Sequence, residues 1–177
     1  MTRINLLTAE TAPEGSKDIL NGFQQKMGKV INIFKVMANA PSALKTYIGI
    51  DAALQDKALD NATAERIALA IATVNGCEYC TAAHSYLAKG ALSDEEIANA
   101  RKGKSSDAKA QAAVDFAVAA MKTAGKVSDD ELAKVKAAGF TDGEILEIVA
   151  VITLNFFTNM INNVAQTTVD FPRVSSQ

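Results

Sequence analysis

The chain has 177 residues with 18 Lys and Arg against 20 Asp and Glu, a formal net charge of −2, which excludes a global positive field for nucleic acid or an acidic membrane surface. Hydrophobic residues make up 49% but aromatics only 6%, with no Trp and abundant Ala, a composition suited to close-packed helices around a substantial core. Two cysteines exclude a disulfide scaffold, and a chain of this length does not need one.

Residues 1–14 read as an extended N-terminal arm. They lack the apolar core and small-residue cleavage site of a leader, and no apolar run approaches a membrane span, so a soluble cytoplasmic protein is expected. A first helix is expected over 16–27, stopped by Gly28. An apolar helix through Val30, Ile33, Phe34 and Met37 follows, and then a third with Pro41 in its first turn, carrying Leu44, Tyr47, Ile48 and Leu54. From Ile67 to Val74 the chain is almost wholly apolar, and Ala68, Ala70 and Ala72 favour helix over strand. Asn75 and Gly76 break this helix. Another should run over 77–89, with Gly90 as a left-handed stop.

Further on, Ser93 with Glu96, Ser128 with Glu131 and Thr141 with Glu144 have the capping-box spacing, in which hydroxyl and carboxylate satisfy each other's unpaired backbone donors. Arg101, Lys102 and Lys104 read as a solvated loop. Helices are expected over 110–122, 129–138 and 142–164, the last being the most apolar. No alternating strand pattern occurs, so the fold class is all-α, a single-domain helical bundle spanning 1–177. The helices beginning near Glu65 and Glu144 share an acidic start and an apolar continuation, which suggests two weakly related halves. Asn155, Asn159 and Asn162 are spaced along one helical face and read as a polar stripe at a seam more than as substrate contacts. The tail, 166–177, contains Phe171-Pro172 and is expected to dock on a neighbour or stay loose.

The chemistry-bearing residues lie together: both cysteines and the one histidine fall between positions 77 and 84. On a helix, Cys77, Cys80 and His84 share an arc of roughly 60°. Tyr79 and Tyr86 point to the opposite side as packing or interface residues. A CxxC pair can be a redox dithiol, half of a zinc site or two small buried side chains. Zinc would need Glu65 as its fourth ligand. Redox chemistry fits the parts better, since a helix N-terminus favours the thiolate and His84, one turn after Cys80, is spaced to take its proton. Glu65 could orient His84, or simply sit in the first turn of a helix capped by Asn61 or Thr63. On the residues alone these two readings of Glu65 stand even.

Glu65 followed by Cys77, Cys80 and His84 in NGCEYCTAAH resembles the carboxymuconolactone decarboxylase superfamily, in its alkylhydroperoxidase D-like branch of peroxidase-related proteins. The segments around Gly28-Lys29-Val30, Ala40-Pro41-Ser42-Ala43-Leu44, Gly139-Phe140-Thr141-Asp142 and Asn155-Phe156-Phe157-Thr158-Asn159 share the likeness, which covers most of the chain. The resemblance implies an all-helical homotrimer or homohexamer with antioxidant thiol chemistry. It further implies Cys80 as the peroxidatic and Cys77 as the resolving cysteine, with His84 and Glu65 as the proton relay. The well-characterised alkylhydroperoxidases have a second His just before the second Cys. Tyr79 stands there in this chain, and that relay role is not carried over. Nor is the activity of the decarboxylases proper, which lack the dithiol.

The helix dipole favours Cys77 as the more acidic thiol, and proximity to His84 favours Cys80. Lowering a thiol pKa from ~8.5 to ~6 raises its thiolate fraction at pH 7 by roughly 30-fold, yet the lost nucleophilicity takes back about 10-fold. A base that also manages the proton on the leaving oxygen is worth ~100-fold or more, which selects Cys80. The expected function is therefore a thiol-dependent peroxidase acting on organic hydroperoxides, with a thioredoxin-like or lipoyl-type dithiol as reductant. No metal, cofactor, nucleic acid or membrane is expected as a partner. The alternative is a non-catalytic redox-sensing or structural oligomer using the same dithiol.

Overall fold

Local capping chemistry sets most of the helix starts. In the computed structural model, which describes residues 2–174, α1 (Glu14–Met27) begins directly after Pro13, earlier than expected, and ends at Gly28, whose φ of 72° no β-carbon favours. α2 (Asn32–Met37) is short, with Val30 and Ile31 lying before it. α3 (Pro41–Ala53) carries Pro41 at its first position and runs into a 3-10 turn at Leu54–Asp56. α4 (Asn61–Val74) is capped by Asp60, whose carboxylate accepts the Thr63 N–H at 2.8 Å.

α5 (Glu78–Leu87) starts one residue later than expected because Cys77 is its cap. It ends sooner, in a 3-10 turn at Ala88–Gly90, and Gly90 is not among the left-handed glycines. The Ala88 carbonyl accepts the N–H groups of Ala91 and Leu92, so the turn closes without a left-handed residue.

α6 (Asp94–Ala100), α7 (Ala108–Thr123), α8 (Asp129–Ala137) and α9 (Asp142–Ala165) complete the set, and among the described residues there is no β-strand. The fold is all-α, as expected. Ser128 and Thr141 make full capping boxes. Ser93 makes only half of one: its hydroxyl accepts the Glu96 N–H, while the Glu96 carboxylate turns to Arg66 at 2.9 Å and to Ser105 and Ser106. The guanidinium, nearly removed from water, is the stronger claim on that carboxylate.

α4 is the hub. Every residue from Arg66 to Ala72 is buried, and the helix packs on α5, α7 and α9. Ile67 and Ile71 meet Val114, Ala117, Val135 and Ile148. Leu69 meets Ala88, Leu92 and Ile97, and Ala72 joins Leu20, Phe34, Met37, Leu44 and the two cysteines. Each fully buried Leu or Ile here contributes about 1.5–3 kcal/mol. α4 and α5, joined at left-handed Gly76, thus hold the CxxC segment against the best-packed part of the protein.

α9 corrects the expectation about apolar runs, for its 24 residues are long and apolar enough to cross a membrane by length and composition. Here one side of it is spent on the core through Ile145, Ile148, Val151 and Ile152, continued by buried Asn155, Asn159 and Asn162. Its other side exposes Leu146, Val149, Phe156, Met160 and Val164.

The tail docks on its own chain. Arg3 N–H donates to Ala165, the hydroxyls of Thr2 and Thr168 pair, and Asp170 accepts the Asn32 N–H. Residues 175–177 of that tail lie outside the described residues.

Candidate active site

The expected site residues come together where α4, α5 and α9 meet the α2–α3 layer. Cys77 and Cys80 are joined as a disulfide with Cα atoms 5.3 Å apart, and both are buried, at 1% and 3% exposure. Cys77, as the α5 cap, accepts the Cys80 backbone N–H on its sulfur at 3.2 Å. Cys80 accepts an N–H from the Asn162 side chain on its sulfur at 3.3 Å.

His84, one turn after Cys80, holds Glu65 through Nδ1 and Oε2 at 3.0 Å, both side chains retaining about a quarter of their exposure, 22% and 24%. Of the two readings of Glu65, this contact matches the one that places it against His84. Because Asp60 caps α4, Glu65 lies beyond the first turn, where it no longer serves a helix start. The carboxylate fixes the ring by accepting Nδ1–H, which leaves Nε2 as the nitrogen that exchanges a proton. No hydrogen bond links His84 directly to Cys80 among those of the described residues, so a proton passing between them needs a substrate or water in between.

A cavity of about 270 Å³ lies over these groups. Cys80, His84 and Glu65 form one wall, and Ile33, Phe34, Leu54, Val151 and Leu154 supply apolar walls. Cys77 is absent from the lining. Buried Cys80 is thus reached from the cavity, not from bulk solvent. Among the described residues no group of three or more His, Cys, Asp or Glu side chains is placed to hold a metal ion.

Tyr79, expected on the side opposite His84, is buried at 4% but borders the same cavity as Cys80 and His84. Its hydroxyl donates to Asp170 at 2.7 Å and accepts the Ile33 N–H at 3.3 Å. Burial, reinforced by the Asp170 contact, raises its pKa well above the ordinary tyrosine value, so it stays protonated. Phe171 of the tail packs edge-on against the Tyr79 ring and closes one side of the cavity. Tyr86, by contrast, is 54% exposed. At the other end, burial holds the Asp51 carboxyl above its usual range, opposed by Lys57, and burial likewise raises Tyr47.

The asparagine stripe divides. Asn159 is a seam residue, accepting an N–H from Asn75 at 2.9 Å, whereas Asn155 and Asn162 line the cavity. Residue spacing placed all three on one face but had no signal for which helix that face would meet. The contacts of Asn162 with Cys80 and of Phe171 with Tyr79 were likewise beyond sequence reasoning.

Comparison with known proteins follows the same lines. Residues 41–123, which include all four expected site residues, match the Carboxymuconolactone decarboxylase family. No curated protein shows a significant match. An uncharacterised peroxidase-related protein with an alkylhydroperoxidase AhpD core from Ralstonia eutropha JMP134 superposes with a TM-score of 0.83 at 23% identity, over 96% of this chain and 92% of its own. A peroxidase-related protein from Silicibacter sp. TM1040 gives 0.82 at 21% identity, over 94% and 91%. The debrominase Bmp8, as a cysteine-to-alanine variant in complex with 2,3,4-tribromopyrrole, gives 0.79 at 19% identity, over 96% and 92%. Residues 41–123 thus resemble the carboxymuconolactone decarboxylase family, and the chain has the fold of the alkylhydroperoxidase D-like proteins.

Proposed function

We propose that this protein is a thiol-dependent peroxidase that reduces organic hydroperoxides with the Cys77–Cys80 pair. The observation that carries the reading is that Cys80 and the His84–Glu65 pair open onto one apolar-walled cavity. In the reduced protein the Cys80 thiolate attacks the terminal oxygen of ROOH. An S–O bond forms, the O–O bond breaks, and the alkoxide leaves with a proton from His84, giving ROH and Cys80 sulfenic acid. Glu65 stabilises the imidazolium that precedes this transfer. The Cys77 thiolate then attacks the Cys80 sulfur, hydroxide leaves and is protonated to water, and the disulfide state results.

An external dithiol, thioredoxin-like or lipoyl-type, supplies the two electrons that restore the pair. A dithiol that must cycle belongs in a reducing compartment, so the reading includes a cytoplasmic location. It also includes a homotrimer or homohexamer assembled through the apolar side of α9, where Leu146 and Val164 are 69% and 65% exposed. Light scattering on the purified protein checks the assembly.

The functional test is peroxide-dependent disulfide formation in pre-reduced protein, followed by loss of free thiols and mass spectrometry. Wild type should close Cys77–Cys80 rapidly, and Cys80→Ser should abolish hydroperoxide consumption. Wild-type turnover retained by Cys80→Ser would refute the assignment. Slow oxidation, equal in wild type and His84→Ala, would support the redox-sensing reading instead.

A further inference from the structure

Among the described residues, Asn162 is the one side chain that hydrogen-bonds the Cys80 sulfur. It projects from α9, is 3% exposed, and donates Nδ2–H to Cys80 Sγ at 3.3 Å. A disulfide sulfur carries no proton, so only the amide nitrogen can face it favourably. That fixes the other end: Oδ1 is buried and without any hydrogen-bond partner. A buried carbonyl oxygen left unpaired is unfavourable unless something fills it in the working protein. Asn162 lines the same cavity as Cys80 and His84.

We propose that Asn162 is a catalytic residue, whose Nδ2–H holds the Cys80 thiolate and whose Oδ1 accepts the O–H of the bound hydroperoxide. The inference rests on the peroxidase reading above. Its chemistry follows from the two ends of one amide. The terminal oxygen of ROOH carries the proton, and this is the oxygen that the sulfur must attack. With that O–H donated to Oδ1, the terminal oxygen is brought beside the sulfur that Nδ2 holds.

When the S–O bond forms and the O–O bond breaks, the same proton remains on the transferred oxygen, now as the sulfenic O–H, and Oδ1 still accepts it. The alkoxide departs on the other side and takes its proton from His84. No group has to move between ground state and transition state, which is the condition for preorganised stabilisation. The rest of the lining mixes apolar side chains such as Phe34, Leu54 and Val151 with polar ones such as Asp51, Gln55 and Lys57 and meets the R group, while the amide reads the peroxy group.

The test uses a Cys77→Ser background, in which Cys80 is the sole thiol. The pH dependence of its alkylation by iodoacetamide gives the Cys80 pKa, and stopped-flow mixing with tert-butyl hydroperoxide gives the rate of sulfenic acid formation. Asn162→Leu, which keeps the approximate volume, should raise the Cys80 pKa by about one unit and slow oxidation by roughly 10- to 100-fold. Asn162→Ala should do the same if Leu disturbs packing. Asn159→Ala removes a buried amide of the same stripe that touches no sulfur. It should lower thermal stability while leaving the Cys80 pKa and oxidation rate unchanged.

Folded Asn162→Leu and Asn162→Ala proteins with the parental pKa and rate would overturn the proposal. If the parent itself fails to react with hydroperoxide while the pKa shift persists, the peroxidase reading and the acceptor role of Oδ1 both fall. The sulfur contact then stands alone.

Discussion

Replacing Glu65 by Gln isolates what the carboxylate contributes to the His84 relay. The substitution keeps shape and an oxygen that can accept Nδ1–H, but removes the charge from a contact of 3.0 Å. Two unit charges at about 4 Å interact by about 4 kcal/mol at an effective dielectric of 20 and by about 1 kcal/mol in water. The pair keeps 22% and 24% of its side-chain exposure, so the site lies between those limits, and about 1.5–2 kcal/mol is a reasonable share. That converts to roughly a 10- to 30-fold slower step when His84 must be protonated as it delivers its proton. The assay is rapid mixing of pre-reduced protein with hydroperoxides whose alcohols differ in acidity. General acid catalysis by His84 requires Glu65→Gln to slow the most basic alkoxide leaving groups most, and Glu65→Leu, which also frees the ring, to slow them further. An unchanged rate and an unchanged dependence on leaving group in Glu65→Gln would refute the relay, whatever the fate of the cysteines.

Other expectations concern the frame that holds this site. For Glu96, burial opposes ionisation, but hydrogen bonds from Ser106 and then Arg66 and Asn99 outweigh it and hold its carboxyl down to about 2. Its folded-state pKa lies below the unfolded value, so its stabilisation is complete above the ordinary 4.5 and is lost as the pH falls towards about 2. Urea melts of wild type and Glu96→Gln should therefore differ at neutral pH and converge across that window; a constant gap would contradict the sign. Thr141→Ala removes the hydroxyl half of the α9 capping box and should cost about 1 kcal/mol, or about 2–4 °C in melting temperature. Phe171→Ala should free the tail, seen as faster proteolysis beyond Thr167, and should loosen the cavity around Tyr79, seen as weaker protection of that segment in hydrogen exchange.

Much of the fold was legible because its signals are local. Asp, Ser, Thr and Pro start helices within a turn of themselves, and α3, α8 and α9 begin where such residues predict. The departures have local signals overridden by distant ones. Glu96 leaves its capping box for Arg66, a partner thirty positions back in the chain. The tail is held by Asn32 and Tyr79, which no spacing rule connects to Asp170. That Glu65, Cys77, Cys80 and His84 lie together was legible because they occupy a single helical hairpin, α4 and α5, whose register is fixed by helical period and the Gly76 turn.

The competition between the two cysteines turns on the part that was not legible. Sequence reasoning weighs two local donors, the helix end beside Cys77 and the imidazole one turn after Cys80, and they pull in opposite directions. In the folded chain each sulfur does have its own N–H: the Cys80 backbone serves Cys77 at 3.2 Å, and Asn162 serves Cys80 at 3.3 Å. Contacts of such similar length do not separate the thiols by hydrogen bonding to the thiolate. What separates them is access. Cys80 borders the cavity that also holds His84, and Cys77 stands behind it at the helix cap. A nucleophile must reach its substrate before its pKa matters, and a resolving thiol needs to reach only the other sulfur. On the proposed peroxidase reading, the depth of the site, set by α9 and the tail rather than by the CxxC hairpin, is what gives Cys80 the attacking role and Cys77 the resolving one.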